Sequence, residues 1–556
     1  MIALLSNINI EPIRGFLKSD ESIFTGYNTY IADILNHKSV LYSDEIDKIF
    51  LFLDIEELLG DMLFKYPSDN SLSVFENNLD EIFSFIYQLL IKRNNAVLVI
   101  NNVPFISATF ISYLDTNSPN VTFRDFVKIY NNKLKQLKSD FSNALVLDWE
   151  RIVLNEGINN LFDPKFWYLG RMKLNNKAFK LLSDEFSNLI NSYKGKTKKV
   201  LILDLDNTLW GGIAGEDGLN GIKISEDGIG KAFRDFQKLI KSLKEIGVIL
   251  AINSKNNESD IDEIFQKNNM MILKYDDFIV RKINWNNKVQ NLIEIASDLD
   301  LGLDSFVFID DNPVERQLIK ENLPEVCVPD FPSDISYVKS WFLEEVIYKY
   351  FAKVYFTHED KNKTFQYLAN AERKKLSKSL SIEDFIKSLN IKIKIYINLS
   401  KYKQRIAQLT QKTNQFNLRT KRYTETDIER FINSDNYTVF ALGYEDKFNN
   451  EGIVGLVIIL NDGESLEIDT FLLSCRIIGR DAEFVFLLKV LETFKEKNIK
   501  KVNAVYIKTK KNGIAESFYS DAGLFTENKI DYSVDYEKLI IFLENKTLYD
   551  GEIINE

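Results

Sequence analysis

Residues 200–212 read Val-Leu-Ile-Leu-Asp-Leu-Asp-Asn-Thr-Leu-Trp-Gly-Gly. The apolar run is short, rich in β-formers and preceded by Lys198 and Lys199, which predicts a strand buried on both faces of a parallel sheet. Asp204 and Asp206 then emerge at its carboxyl end, where open α/β sheets place their ligands. Two acids two positions apart lie on one face of a regular strand. If the chain begins to turn there, one carboxylate can attack or bind a metal while the backbone carbonyl of the second turns toward the same cation. Asn207 and Thr208 follow as polar groups within reach of the same place.

Three further elements follow in order. Val248–Ile252 is an apolar strand ending at Asn253-Ser254-Lys255, where the Ser254 hydroxyl can donate to a phosphoryl oxygen. Lys288 closes Ile-Asn-Trp-Asn-Asn-Lys (283–288) and opens an amphipathic run through Leu292, Ile293 and Ile295; a fixed ammonium there offsets phosphoryl and carboxylate charge. Phe306–Arg316 is a strand that ends on Asp310 and Asp311. Together the four motifs resemble the haloacid-dehalogenase (HAD) phosphotransferases. The resemblance implies Mg²⁺, a hard cation that takes oxygen ligands, held by Asp204, the Asp206 carbonyl and an acid from Asp310 and Asp311. It also implies Asp204 as nucleophile, Asp206 as general acid and base, and Thr208, Asn207, Ser254 and Lys288 as phosphate-binding groups.

About forty residues separate the first two motifs, and Phe233, Phe236, Leu239, Ile240, Leu243 and Ile246 mark one helix face there, closed by Gly247. Little chain is left for a cap, so an open site is expected. At 556 residues the chain should hold three or four domains. A 45% hydrophobic content supports packed cores, and no segment is apolar enough over enough length to span a membrane. The start, Met-Ile-Ala-Leu-Leu-Ser-Asn, lacks the basic and apolar regions of a signal peptide. Only Cys327 and Cys475 are present, which points to thiols in a reducing compartment. A cytoplasmic protein is expected, and the net charge of −11 argues against a general nucleic-acid surface.

Residues 1–196 form the first predicted domain. Apolar strands at Ile2–Leu5, Ile49–Leu53, Val97–Ile100 and Ala144–Leu147 end on Ser6-Asn7, Asp54, Asn101-Asn102 and Asp148, a doubly wound α/β pattern. It resembles the SGNH-hydrolase fold. Such hydrolysis needs a serine activated by histidine, whereas the chain holds only His37 and His358, and Phe162–Tyr168 has none. A docking or scaffolding role is expected in place of hydrolysis. Residues 197–345 form the HAD-like Rossmannoid domain with a minimal cap, and 346–375 a charged helical connector.

Residues 376–556 form the last domain, an α+β unit. A strand to about Ser474 leads through Cys475, Arg476, Gly479 and Arg480 to an apolar helix at Phe484, Phe486, Leu487 and Leu491. Helix amides beside an arginine form an anion seat. The stretch resembles the pyrophosphate loop of GNAT acyltransferases, with Asp481 where a small residue is usual; Lys511–Phe525 is similar to their closing helix and turn. Arg476, Gly479 and Arg480 are thereby expected to bind a coenzyme A or acyl-carrier arm.

The order SGNH-like, HAD, GNAT-like resembles the FkbH-like proteins. Supporting stretches include Ser6–Pro12, Asp204–Gly212, Ser254–Asn256, Phe306–Arg316, Gln408–Asn417 and Ser474–Arg480. The resemblance implies a glyceryl transferase/phosphatase that takes a three-carbon acyl group from 1,3-bisphosphoglycerate, holds it as a thioester, removes its phosphate and passes it to the phosphopantetheine thiol of an acyl carrier protein. A thiolate attacks an acyl phosphate readily. Cys475, beside Arg476 and near a helix N-terminus, is the expected carrier; Cys327, between Pro324 and Pro329, is expected to be core filler. Two alternatives stand: a plain HAD phosphatase, and a GNAT-type N-acyltransferase with an accessory HAD domain.

Overall fold

The computed structural model describes residues 1–17, 21–106, 108–355, 369, 373, 376 and 380–554. Most of the expected connector, Asp360–Lys375, lies outside the described residues. The chain divides into two compact units, Met1–Asn191 and Ser192–Glu556, and the three sheets among the described residues give a mixed α/β architecture.

The first unit carries a five-stranded parallel sheet, β1 (Ile2–Ser6), β2 (Ser22–Tyr27), β3 (Lys48–Phe52), β4 (Val97–Asn101) and β5 (Ala144–Leu147), in the order β2-β1-β3-β4-β5. Four strands stand where the apolar runs placed them. The edge strand β2 was not predicted, because Ser-Ile-Phe-Thr-Gly-Tyr is short, half-buried and broken by glycine. The polar tips are spent on stitching the sheet. The Asn7 carboxamide binds the backbone N–H and C=O of Asp54 at 2.8 and 2.9 Å, and Asn101 does the same for Leu53 at 2.7 and 3.0 Å. Ser6 is buried and its Oγ accepts from the Ile8 amide at 3.1 Å. The described histidine, His37, contacts Lys92 at 3.2 Å.

In the second unit, β6 (Val200–Leu203), β7 (Ile249–Ser254), β8 (Phe278–Ile283) and β9 (Phe306–Ile309) form an all-parallel sheet in the order β8-β7-β6-β9. Strand order reverses between β6 and β9, so their carboxyl ends open the crevice in which such sheets bind ligands. The helix Gly228–Glu245 buries Phe233, Phe236, Ile240 and Leu243 on the expected face, and Gly247, with φ of 85°, ends it in a conformation that suits glycine. Only the short helix Ala214–Gly221 stands between the first motif and that helix. The helical segment Phe342–Phe351 buries Val346 and Phe351 in the same core as Leu201 and Leu250. This core therefore runs past residue 345, where the sequence suggested a connector, because the apolar face continues one turn further.

The remaining sheet contains β10 (Lys392–Ile397), β11 (Phe416–Asn417), β12 (Tyr437–Glu445), β13 (Asn450–Asn461), β14 (Ser465–Leu473), β15 (Lys501–Val505), β16 (Asp531–Asp535) and β17 (Gly551–Ile554). A strand and two helices (Lys403–Lys412 and Glu425–Ile432) precede antiparallel β12-β13-β14. The helix Ala482–Glu492 then leads to β15, parallel to β14. β14 pairs with β15 through Ile468, and beyond it Phe416 and Asn417 pair with Leu473 and Leu472. Leu418 extends this bridge, donating to the Phe471 carbonyl at 3.1 Å and accepting from the Ile507 amide at 2.8 Å.

Candidate active site

Asp204 begins where β6 ends, its amide bound to the Ile309 carbonyl of β9 at 2.9 Å. That bond continues the β6–β9 pairing and sets the first motif beside the fourth. Lys288, only 3% exposed, reaches between them: Nζ lies 3.1 Å from Asp204 Oδ1 and 2.6 Å from Asp310 Oδ2. Burial alone would pull its pKa down, but the two carboxylates outweigh that and raise it, so the ammonium stays charged. It sits at the first turn of the helix Lys288–Leu299, whose preceding Asn287 caps Val289 at 2.8 Å. Asn253 and Asn291 lock it from behind: Asn253 Nδ2 donates to the Lys288 carbonyl at 2.9 Å, and Asn291 Nδ2 to Asn253 Oδ1 at 3.0 Å.

Asp204, Asp310 and Asp311 each bring a carboxylate oxygen within 4.8 Å of the others. Burial, then repulsion from Asp204, pushes Asp310 and Asp311 up to about 6 against the pull of Lys288. Three acids sharing one lysine leave negative charge uncompensated, and an all-oxygen donor set of this kind fits a hard divalent cation such as Mg²⁺. Asp310 Oδ2 is taken by Lys288 and Oδ1 by the Asn312 amide at 2.9 Å. Asp311 is half-buried, with Oδ1 3.5 Å from the Thr208 hydroxyl, which also accepts from the Asp311 amide at 3.2 Å.

A pH dependence follows. Carboxylates whose folded pKa stands near 6, above the unfolded value, favour the native state while protonated and lose that benefit as pH rises through 6. A bound cation reverses this by favouring the ionised form. The rise in Tm on adding Mg²⁺ should therefore be small at pH 5 and grow between pH 5.5 and 7. A pH-independent rise measured by calorimetry would place the cation elsewhere.

The Asp206 side chain stands apart from the three-acid cluster. Its Oδ1 accepts from Trp210 Nε1 at 3.0 Å and the Ala214 amide at 2.9 Å, and its Oδ2 from Asn256 Nδ2 at 3.0 Å. Burial raises its pKa, these hydrogen bonds oppose that, and Asp204 adds to the rise, for a net upward shift. Asn256 also donates to Ser254 Oγ at 3.1 Å, which leaves the buried Ser254 hydroxyl proton free to donate outward. Asn207 is exposed, with φ of 51°, and turns its Oδ1 to the Gly212 amide at 2.9 Å. It shapes the loop. Trp210 and Asn256 were not predicted as site residues; their signal was spacing, four positions after Asp206 and two after Ser254.

The structure therefore gathers Asp204, Asp206, Thr208, Ser254, Lys288, Asp310 and Asp311 at the ends of four adjacent strands. The N-terminal part of a Bacteroides fragilis protein, BF1531, solved as a phosphatase-domain complex with Mg, is 31% identical over 64% of this chain and 94% of its own, with a TM-score of 0.58. The chain carries a HAD-type phosphatase domain. Spermidine N-acetyltransferase of Vibrio cholerae matches 27% of the chain at 15% identity, covering 96% of its own length with a TM-score of 0.22. The ribosomal-protein-S18-alanine N-acetyltransferase of Escherichia coli matches 26% at 9%, covering 94% of its own length with a TM-score of 0.21. No protein-family profile matches, and no curated protein does. Among the described residues no helix is long and apolar enough to cross a membrane.

The other predicted residues follow β14 and back β9. Cys475 is half-buried and opens the short turn Cys475–Ile477 directly after β14. Arg476 and Arg480 face inward: Arg476 lies 3.6 Å from Glu451 and Arg480 3.6 Å from Asp446. Arg373 binds both acids at 2.7 Å. Gly479 and Asp481 hold φ of 74° and 66°, and Asp481 Oδ2 accepts from the Leu548 amide at 2.9 Å. Sequence alone could not show this pairing, because Asp446 comes from the β12–β13 turn and Glu451 from the start of β13. Cys327 backs β9, exchanging backbone hydrogen bonds with Phe306 and Phe308.

Proposed function

We propose that the chain is an FkbH-like glyceryl transferase/phosphatase whose phosphatase domain uses an aspartyl nucleophile. The observation that supports it most is Lys288 clamped between Asp204 and Asp310, with Asp206 held separately by Asn256 and Trp210. One carboxylate is thus oriented for attack and a second, with raised pKa, for proton transfer. Mg²⁺, held by Asp204, Asp311 and the Asp206 carbonyl, would neutralise the carboxylates and polarise the phosphoryl oxygen. Asp204 attacks phosphorus, Ser254 and Lys288 bind the phosphoryl oxygens, and Asp206 gives its proton to the departing alkoxide. Asp206 then takes a proton from the water that cleaves the aspartyl phosphate.

In this reading the Cys475 thiolate first attacks the acyl carbon of 1,3-bisphosphoglycerate and expels inorganic phosphate. The distal phosphate is removed in the phosphatase domain, and a carrier-protein phosphopantetheine thiol takes the acyl group. The site residues, the carrier protein, a cytoplasmic location and a docking role for residues 1–196 belong to the same proposal. Intact-protein mass after mixing with 1,3-bisphosphoglycerate tests it: a glyceryl adduct supports the transferase, and phosphate release without an adduct supports the plain phosphatase. Acetyl-CoA turnover in place of both would support the N-acyltransferase alternative.

A further inference from the structure

The phosphatase domain leaves one large aromatic side chain bare at its open end. Trp285 is 69% exposed and lies in the loop between β8 and Lys288. The loop is rigidly placed. The Asn284 amide donates to the Ser254 carbonyl at 3.1 Å, the Asn286 amide to Asn284 Oδ1 at 3.0 Å, and Trp285 Nε1 to Asn257 Oδ1 at 3.0 Å. Two of these bonds fasten the loop to the chain leaving β7, so the indole is fixed on the side of Ser254 away from β6. Sheet order sets out a row, with the carboxylates at β9 and β6, Ser254 at β7 and Trp285 at β8.

We propose that Trp285 is a specificity-determining wall against which the organic part of the phosphate ester rests, doing what a cap does in more enclosed sites. This rests on the phosphatase reading. An indole held in water with its N–H already satisfied presents an apolar face with nothing else to cover, the property that ligand sites use. Its surroundings define the ester's chemistry. Asn256, Asn257 and Asn286 are neutral, the charge next to them is the Asp260 carboxylate that accepts from Asn257 Nδ2 at 3.1 Å, and Lys255, two residues before Asn257, is paired with Glu315 at 2.6 Å. The wall therefore fits an uncharged remainder bearing hydroxyl, thioester or amide groups, and offers no counter-charge to a second phosphate or a carboxylate.

The test compares an ester with bare phosphate. In Trp285→Ala, kcat/KM for p-nitrophenyl phosphate should fall about tenfold, carried by KM, while the inhibition constant of inorganic phosphate changes less than twofold. Trp285→Phe, which keeps a flat apolar ring, should recover most of the loss. Equal weakening of ester and phosphate would mean that Trp285 only holds the Lys288 loop, and no change in either would remove it from the site; both overturn the proposal. A parent protein that neither turns over the ester nor binds phosphate would defeat the phosphatase reading, and this inference with it. Circular dichroism of both variants separates misfolding from these outcomes.

Discussion

Asp204→Asn lowers phosphate release by a factor on the order of 10³ or more while the fold persists. The change is isosteric. It removes the nucleophile and one negative charge from a cluster in which Lys288 already lies 3.1 Å away. The amide can still accept from Lys288, so the crevice between β6 and β9 keeps its shape and the protein should melt within a few degrees of the parent. Retention of phosphatase activity by a well-folded Asp204→Asn protein would sink the mechanism. Ca²⁺ should substitute poorly for Mg²⁺ in the parent, because its looser coordination misplaces an attacking carboxylate.

Cys475→Ala should abolish the acyl adduct and all transfer to a carrier protein, yet leave hydrolysis of a simple phosphomonoester in place. The two variants part company in mass. Asp204→Asn should still load at Cys475 and accumulate an adduct heavier by one phosphate, since forming a thioester needs only a thiolate and an activated acyl phosphate. The distal ester then persists for lack of the nucleophile. An adduct that survives Cys475→Ala and moves to Cys327, or no adduct in either variant, would defeat the assignment to Cys475 without touching the phosphatase domain.

The phosphatase domain was legible in the sequence because its chemistry is concentrated at strand ends. Asp204, Ser254 and Asp310 each end an apolar run, Lys288 opens the amphipathic helix that follows β8, and in a parallel sheet the carboxyl ends of all four strands come to one side. Trp210 and Asn256 were less legible, since their role is to hold Asp206 and its alternatives look alike in one dimension. The Arg476 and Arg480 loop shows the limit. Its arginines read as anion binders by local pattern, whereas the fold supplies Asp446 from a distant turn and Glu451 from the strand after it, and turns both guanidiniums inward. β2 was missed for a related reason: a half-buried edge strand carries neither a continuous apolar run nor clean alternation.

The bridge made by Phe416, Asn417 and Leu418 has a kinetic implication. Two residues of strand are a weak fastening, yet they close the gap where β14 and β15 separate. Any extended, amide-bearing ligand laid along Leu472 and Leu473 competes with this segment for the same N–H and C=O groups. Docking there is then an exchange of one strand for another, whose rate is governed by peeling the resident residues away. The amides of Leu418 and Ile507, both donors in this bridge, would report that exchange as faster deuterium uptake when such a ligand displaces the segment.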